Sequence, residues 1–133
     1  MPFANQSGVY RPCLLLVHGD ASYAAETCLH FRRQGWDVYQ ASDGPEARRL
    51  ARMLEPDLVV LEADLAGESG WLTCAKLTAG QAHLQVVLIT DLVDDRSAAF
   101  ASFVGAVSVV GRKGDLPSLL EAVSRPLALP AAS

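Results

Sequence analysis

Cysteine is scarce in this chain. Cys13, Cys28 and Cys74 are odd in number, far apart and never in a C-x-x-C pair. They offer no disulfide framework, and reduced thiols in a cytosolic protein are the plain expectation. Long apolar runs are missing too. None approaches the roughly 18–20 residues that a membrane helix needs, so no membrane partner is expected. The opening MPFANQSGVYRP has neither a basic n-region nor an apolar h-region, so no signal peptide is read there. No basic cluster stands out, and the net charge of -4 argues against nucleic acid as a direct partner. The pair Arg32-Arg33 reads as a solvated helix end. There is no internal repeat and no low-complexity block, and 133 residues leave no room for a second domain.

What is present is globular. Half the residues are hydrophobic and a fifth are charged, enough to bury a real core. Five short apolar runs alternate with helix-length segments: Cys13 to Val17, Val38 to Ala41, Leu58 to Leu61, Val86 to Ile89, and Ala106 to Val110. The first, third and fourth are nearly unbroken Val, Ile and Leu, as in strands covered on both faces. The second and fifth are mixed, which places them at sheet edges. Ala24, Cys28 and Phe31 make one helical face ending at Gly35. Asp43 precedes Gly44-Pro45-Glu46 as a helix start, with Ala47, Leu50, Ala51 and Leu54 inward and a stop before Pro56. Asp115 caps a last helix with Leu116, Leu119, Leu120 and Val123 inward. Two further helices are expected from about Trp71 to Leu77 and from Ser97 to Val104. The alternation predicts an α/β fold, flavodoxin-like (βα)5, with a doubly wound parallel five-stranded sheet in the order 2-1-3-4-5. Sites then lie at the carboxyl ends of the first and third strands. The expected division is a tail over residues 1–11, a domain over 12–126 and a tail over 127–133.

The stretch LLLVHGDAS at Leu14 to Ser22 raises a choice of function class. An apolar strand ending in His-Gly is how α/β-hydrolases enter an oxyanion loop. Such an enzyme needs a nucleophile on a tight strand-to-helix turn, usually Gly-x-Ser-x-Gly, with an acid and a histidine elsewhere. The nearest candidate, Gly67-Glu68-Ser69-Gly70-Trp71, has its second glycine one position early. Trp71 also stands where a small residue is needed. After Ser69 the only histidine is His83, expected at the opposite edge of the sheet. No catalytic residue is therefore assigned, and no enzyme is expected.

The other reading is carried by four segments in order. They are GWDVYQASDGPEA at Gly35 to Ala47, EPDLVVLEADLAGESGW at Glu55 to Trp71, VVLIT at Val86 to Thr90, and GAVSVVGRKGDLPSLLEAV at Gly105 to Val123. From about Arg11 to Arg125 the chain resembles the receiver domain of two-component response regulators. The resemblance implies phosphorelay signalling in the cytoplasm. Family members take a phosphoryl group on an aspartate, held with Mg²⁺, and change the face made by the fourth helix, fifth strand and fifth helix. The implied partners are signalling proteins, a histidine kinase or an output protein, with a homodimer as a further expectation.

Residue by residue the pattern is altered. His18 and Gly19 stand where an acidic pair helps hold Mg²⁺, an ion that wants oxygen ligands in octahedral geometry. Asp20 is kept at the third position, where it caps the helix more often than it binds metal. Glu62 stands at the acceptor position. Thr90 is present. Arg112 falls at the lysine position, with Lys113 next to it, and the two side chains are not interchangeable. Val109 replaces the aromatic of the fifth strand, and Ala66 a common proline. The leading expectation is a degenerate, stand-alone receiver-like module that binds a protein partner independently of phosphorylation and carries no cofactor. Alternatives stay open: a working receiver with Mg²⁺, ligated if at all by Asp20 and Glu62; Glu62 as a mimic of phospho-aspartate; Asp64 as substitute acceptor; and a metal or proton site of His18, Asp20 and Glu62.

Two positions point to a contact surface. SAAFASFVGA is unusually apolar for the fourth helix, and Phe100 and Phe103 cannot both face the sheet at helical spacing unless the helix rotates or shortens. The alternative to an exposed aromatic is one turned inward on an irregular helix. With Val109 the two phenylalanines are the candidate interface residues. Trp36 is expected in the core or as partial cover. Trp71 is expected in packing beside the site.

Overall fold

The computed structural model describes residues 11–91, 93–111 and 115–124. Along the chain run β1 (Cys13–Val17), α1 (Ala21–Arg33), β2 (Asp37–Ala41), α2 (Gly44–Leu54), β3 (Leu58–Glu62), α3 (Gly70–Gly80), β4 (Gln85–Ile89), α4 (Asp95–Phe103), β5 (Ser108–Val110) and α5 (Leu116–Ser124). The strands form one parallel sheet in the order β2-β1-β3-β4-β5, as the alternation predicts. The mixed strands β2 and β5 are its edges.

Because side chains alternate across a strand, each central strand feeds two cores. Leu14, Leu16, Leu58, Val60, Val87 and Ile89 face the layer of α1 and α5, where Phe31 and Leu119 meet them. Leu15, Val17, Val59, Leu61, Val86 and Leu88 face the other layer, where Ala47 and Ala51 of α2, Cys74 and Leu77 of α3, Ala101 of α4 and Val104 just after it cover them. These twelve strand side chains are essentially without solvent contact. Each contributes about 1.5–3 kcal/mol of burial, offset by the entropy of ordering the chain. Trp36 belongs to the first core, its ring edge-on to Phe31 at 5.9 Å.

Local chemistry sets the helix ends. The Asp43 carboxylate accepts from Glu46 N–H and starts α2, with Pro45 in the first turn. That helix stops at Glu55, whose φ of 48° turns the chain ahead of Pro56. Gly35, with φ of 98°, follows α1 as the pattern requires. Asp115 accepts from Ser118 N–H at the start of α5.

Three boundaries differ from expectation by two residues or more. Helix α4 begins at Asp95, because Asp94 and Ser97 cap it reciprocally, Ser97 N–H donating to the carboxylate and Asp94 N–H to the Ser97 hydroxyl. Helix α3 reaches Gly80, started by Ser69, whose hydroxyl accepts from Leu72 N–H. Strand β5 is shorter than expected, since Ala106 N–H donates to Ala101 O and closes the end of α4 instead of joining the sheet.

Candidate functional site

Parallel strands deliver their last residues to one rim of the sheet. There β1 hands over to His18, β3 ends in Glu62, and β4 is followed by Thr90, whose N–H donates to Val110 O on β5. His18, Asp20, Tyr23, Glu62, Asp64, Ile89, Thr90 and Asp91 line a cleft of about 380 Å³ between them. The adjacency of β1 and β3 that the topology implies is real: His18 Nδ1 lies 3.7 Å from Glu62 Oε1. Arg112 and Lys113 lie outside the described residues.

The separation of 3.7 Å is not an ion pair. Nδ1 of His18 accepts the Asp20 N–H at 3.0 Å, which places the ring proton on Nε2 and leaves the imidazole neutral. Burial lowers the His18 pKa below its ordinary value, against the opposing pull of the Glu62 and Asp20 charges. The ring stacks on Tyr23 at 4.2 Å, and burial raises the Tyr23 phenol. Glu62 uses Oε1 to accept the Gly19 N–H at 2.9 Å. Gly19 has room for a side chain, since a Cβ there would sit 3.6 Å from Glu62 Oε1. An acid is absent by composition, not by crowding. Asp20 turns to its own helix, Oδ1 accepting from Ser22 N–H and Tyr23 N–H.

Mg²⁺ takes oxygen ligands in near-ideal octahedral geometry at about 2.0–2.1 Å, commonly one or two carboxylates completed by water. Here one carboxylate is tied to the backbone of residue 19 and a second caps α1, while Asp64 and Asp91 stand exposed at the rim. Among the described residues no three His, Cys, Asp or Glu side chains are grouped to hold a metal ion.

Below the rim, the loop from β3 to α3 is pinned by contacts that the sequence pattern does not reveal. The Glu68 carboxylate accepts Arg48 Nε at 3.2 Å and Nη2 at 3.0 Å, the Thr73 hydroxyl at 2.6 Å and Lys76 Nζ at 3.2 Å. These donors, Arg48 foremost, hold the carboxyl down at about 2. The α3 end of the loop closes on Gly70, where an added Cβ would collide with the Glu62 carbonyl. The serine of the hydrolase reading is occupied as the α3 N-cap, and His83 is exposed ahead of β4, at the opposite rim. Burial pushes the thiols of Cys13 and Cys74 up to about 11 and 12, which leaves neither nucleophilic at neutral pH.

On the outer surface of α4, Phe100 is 45% and Phe103 84% exposed, so neither turns inward. Trp71, Phe100 and Phe103 form a run of three rings, with centroids 5.0 and 6.2 Å apart. Val109, named with them from the sequence, is half-buried and packs against the α2–α3–α4 core.

The family model for the response regulator receiver domain matches residues 14–124. The chain belongs to that family. The receiver is similar to the DNA-binding dual master transcriptional regulator RpaA of Synechocystis sp., 28% identical over 116 residues, which cover 84% of this chain and 47% of that protein. It is also similar to the transcriptional regulatory protein AfsQ1 of Streptomyces coelicolor, 33% identical over 84 residues, 63% of this chain and 37% of that one. The chain thus spans less than half the length of these curated relatives. Among solved structures, the chemotaxis protein CheY4 of Vibrio cholerae superposes with a TM-score of 0.81 at 17% identity, covering 87% of this chain and 98% of that one. Receivers are signalling modules that interact with histidine kinases and output domains. No helix among the described residues is long and apolar enough to cross a membrane.

Proposed function

We propose that this receiver acts as a protein-interaction module whose state does not depend on phosphorylation, and that it works through the outward face of α4. The observation that carries the reading is the 2.9 Å bond from Gly19 N–H to Glu62. It commits the acceptor-position carboxylate to the backbone at the place where a metal-binding acid would be needed. The departure of the nucleophilic aspartate and of the acidic pair together leaves an arriving phosphoryl group with neither an acceptor of the family's usual reach nor the family's usual metal ligands. On this reading Glu62 does not mimic phospho-aspartate: a phosphoryl group brings about −1.5 to −2 charge and three acceptor oxygens, which one already bonded carboxylate does not supply. Asp64, exposed in the loop, does not stand in as acceptor on this reading.

The test is a titration with beryllofluoride and Mg²⁺ followed by amide NMR. The expected result is unmoved resonances at Thr90 and along α4. Saturable shifts there, or a phosphoryl adduct on Glu62 or Asp64 after acetyl phosphate treatment, would overturn the proposal. A heat signal on titrating zinc or manganese would restore the metal alternative at His18, Asp20 and Glu62.

A further inference from the structure

The two most exposed large apolar side chains among the described residues are Phe103, at 84%, and Met53, at 71%. They sit on different helices of the same layer. Phe103 is on α4, which covers the β5 edge, and Met53 is on α2, which covers the β2 edge, with α3 between them. One chain therefore cannot bring the two together within itself.

Their surroundings are opposite in charge. At the start of the helix that carries the aromatic run the exposed acids are Asp94 and Asp95, with Arg96 as the one described cation of the helix, and the groove there is lined by Asp94, Arg96, Ser97, Ala99, Phe100 and Phe103. Beyond Arg96 the helix carries no charge, and Ala101 is its only buried residue. Beside Met53 stand Arg49 and Arg52, both exposed and neither within ion-pair distance of an acid among the described residues; the two outnumber the exposed Glu55 that ends the helix. Helix spacing puts residues 49, 52 and 53 on one surface, since positions three and four apart are neighbours.

We propose that α4 of one copy docks on α2 of a second copy in a head-to-tail contact. The inference rests on reading the α4 face as a docking surface, and names its occupant. Met53 packs against the Phe100 and Phe103 rings, a favoured sulfur–aromatic pairing. Arg49 and Arg52 reach the acids at the start of α4 and the faces of the rings. Because the two surfaces differ, the contact is heterologous, and each added copy leaves one free surface at each end.

Sedimentation velocity from low-micromolar to submillimolar protein tests this with two variants, Phe103→Glu and the double variant Arg49→Glu/Arg52→Glu. Wild type is expected to gain mass with concentration, and to lose affinity as salt is raised. Each variant alone is expected to associate at least about tenfold more weakly. Mixed in equal amounts, the two variants are expected to form a one-to-one dimer that grows no further, since each supplies the surface the other lacks. Phe103→Ser and Arg52→Gln serve in the same design if circular dichroism shows that a charge-reversed variant is unfolded. A wild type that stays monomeric overturns the second copy as occupant and leaves the docking reading of α4 standing. Association that survives Phe103→Glu but not the arginine changes overturns that docking reading itself. Association lost only with Phe103→Glu, or folded variants that do not pair on mixing, replaces the head-to-tail contact with a symmetric one.

Discussion

Glu68→Gln is the substitution whose effect the structure specifies most closely. The carboxylate is mostly covered and accepts from Arg48, Thr73 and Lys76, so one group ties the loop after β3 to both α2 and α3. Its carboxyl is held at about 2 against an ordinary 4.5. That gap corresponds to roughly 3 kcal/mol at about 1.4 kcal/mol per pH unit. Solvent at the half-exposed Lys76 end reduces it to about 2 kcal/mol. The sign follows from the direction of the shift. A carboxyl depressed by folding stabilises above its unfolded value and loses that contribution as pH falls through its folded value. Urea unfolding followed by tryptophan fluorescence and circular dichroism should therefore show Glu68→Gln about 2 kcal/mol less stable than wild type at pH 7. The difference should shrink below pH 4.5 and vanish near pH 2. Against a total stability of about 5–15 kcal/mol this is a large effect. A variant within about 0.5 kcal/mol of wild type at pH 7, or a difference that ignores pH, refutes the reasoning.

Three further outcomes follow from the rim. His18 should titrate below 6.5 by NMR. Because folding lowers its pKa, stability should fall as pH drops through 6.5 toward the folded value, and His18→Phe should lack that component; a midpoint above 6.5 contradicts the neutral ring. Gly19→Asp has room for its Cβ but sets a carboxylate beside Glu62. It should cost about 1 kcal/mol at neutral pH, and Mg²⁺ should raise its melting temperature while leaving wild type unmoved; equal responses would show that acid deficit is not what separates this rim from a metal site. Gly70→Ala forces a Cβ into the Glu62 carbonyl. A loss of about 3 kcal/mol or more is expected in thermal unfolding, and a near-neutral result would mean that the loop shifts freely.

The order of the sheet was legible because periodicity is local and the crossover rule does the rest. Continuous Val, Leu and Ile in β1, β3 and β4 announced strands covered on both faces, and Tyr39, Gln40 and Ser108 marked the edges. Caps at Asp43 and Asp115 were equally local, since a carboxylate reaches N–H groups only three residues away. The meeting of His18 with Glu62 followed from the adjacency of β1 and β3. Glu68 gave no such signal. Its strongest partner, Arg48, is 20 residues away on α2, and nothing in either segment's pattern names the other. The short β5 was hidden for a related reason. Ala106 and Val107 have strand-like composition, but the end of α4 competes for the Ala106 N–H and wins it. Gly70 looked like a defect in a nucleophile motif. Only the backbone shows it as the point where α3 rests against the end of β3.

On the proposed reading, a consequence for regulation follows from how the rim is fastened. A switch needs two states that a ligand binds with different free energies. Here the Glu62 carboxylate is bonded to Gly19, the His18 ring to Asp20, and the loop beyond Glu62 to α2 and α3 through Glu68. Moving the rim would break several of these bonds at once, and no phosphoryl–metal contact stands ready to replace them. The α4 surface is then exposed in the resting molecule, with Phe103 already outward. On that reading its occupancy would follow the concentration of whatever binds it, through mass action rather than modification. Loosening the loop with Glu68→Gln should accordingly lower stability while leaving the affinity of the α4 face within about twofold of wild type. A variant that both weakens the fold and changes that affinity tenfold would show that rim and face are coupled, and that a switch survives in the scaffold.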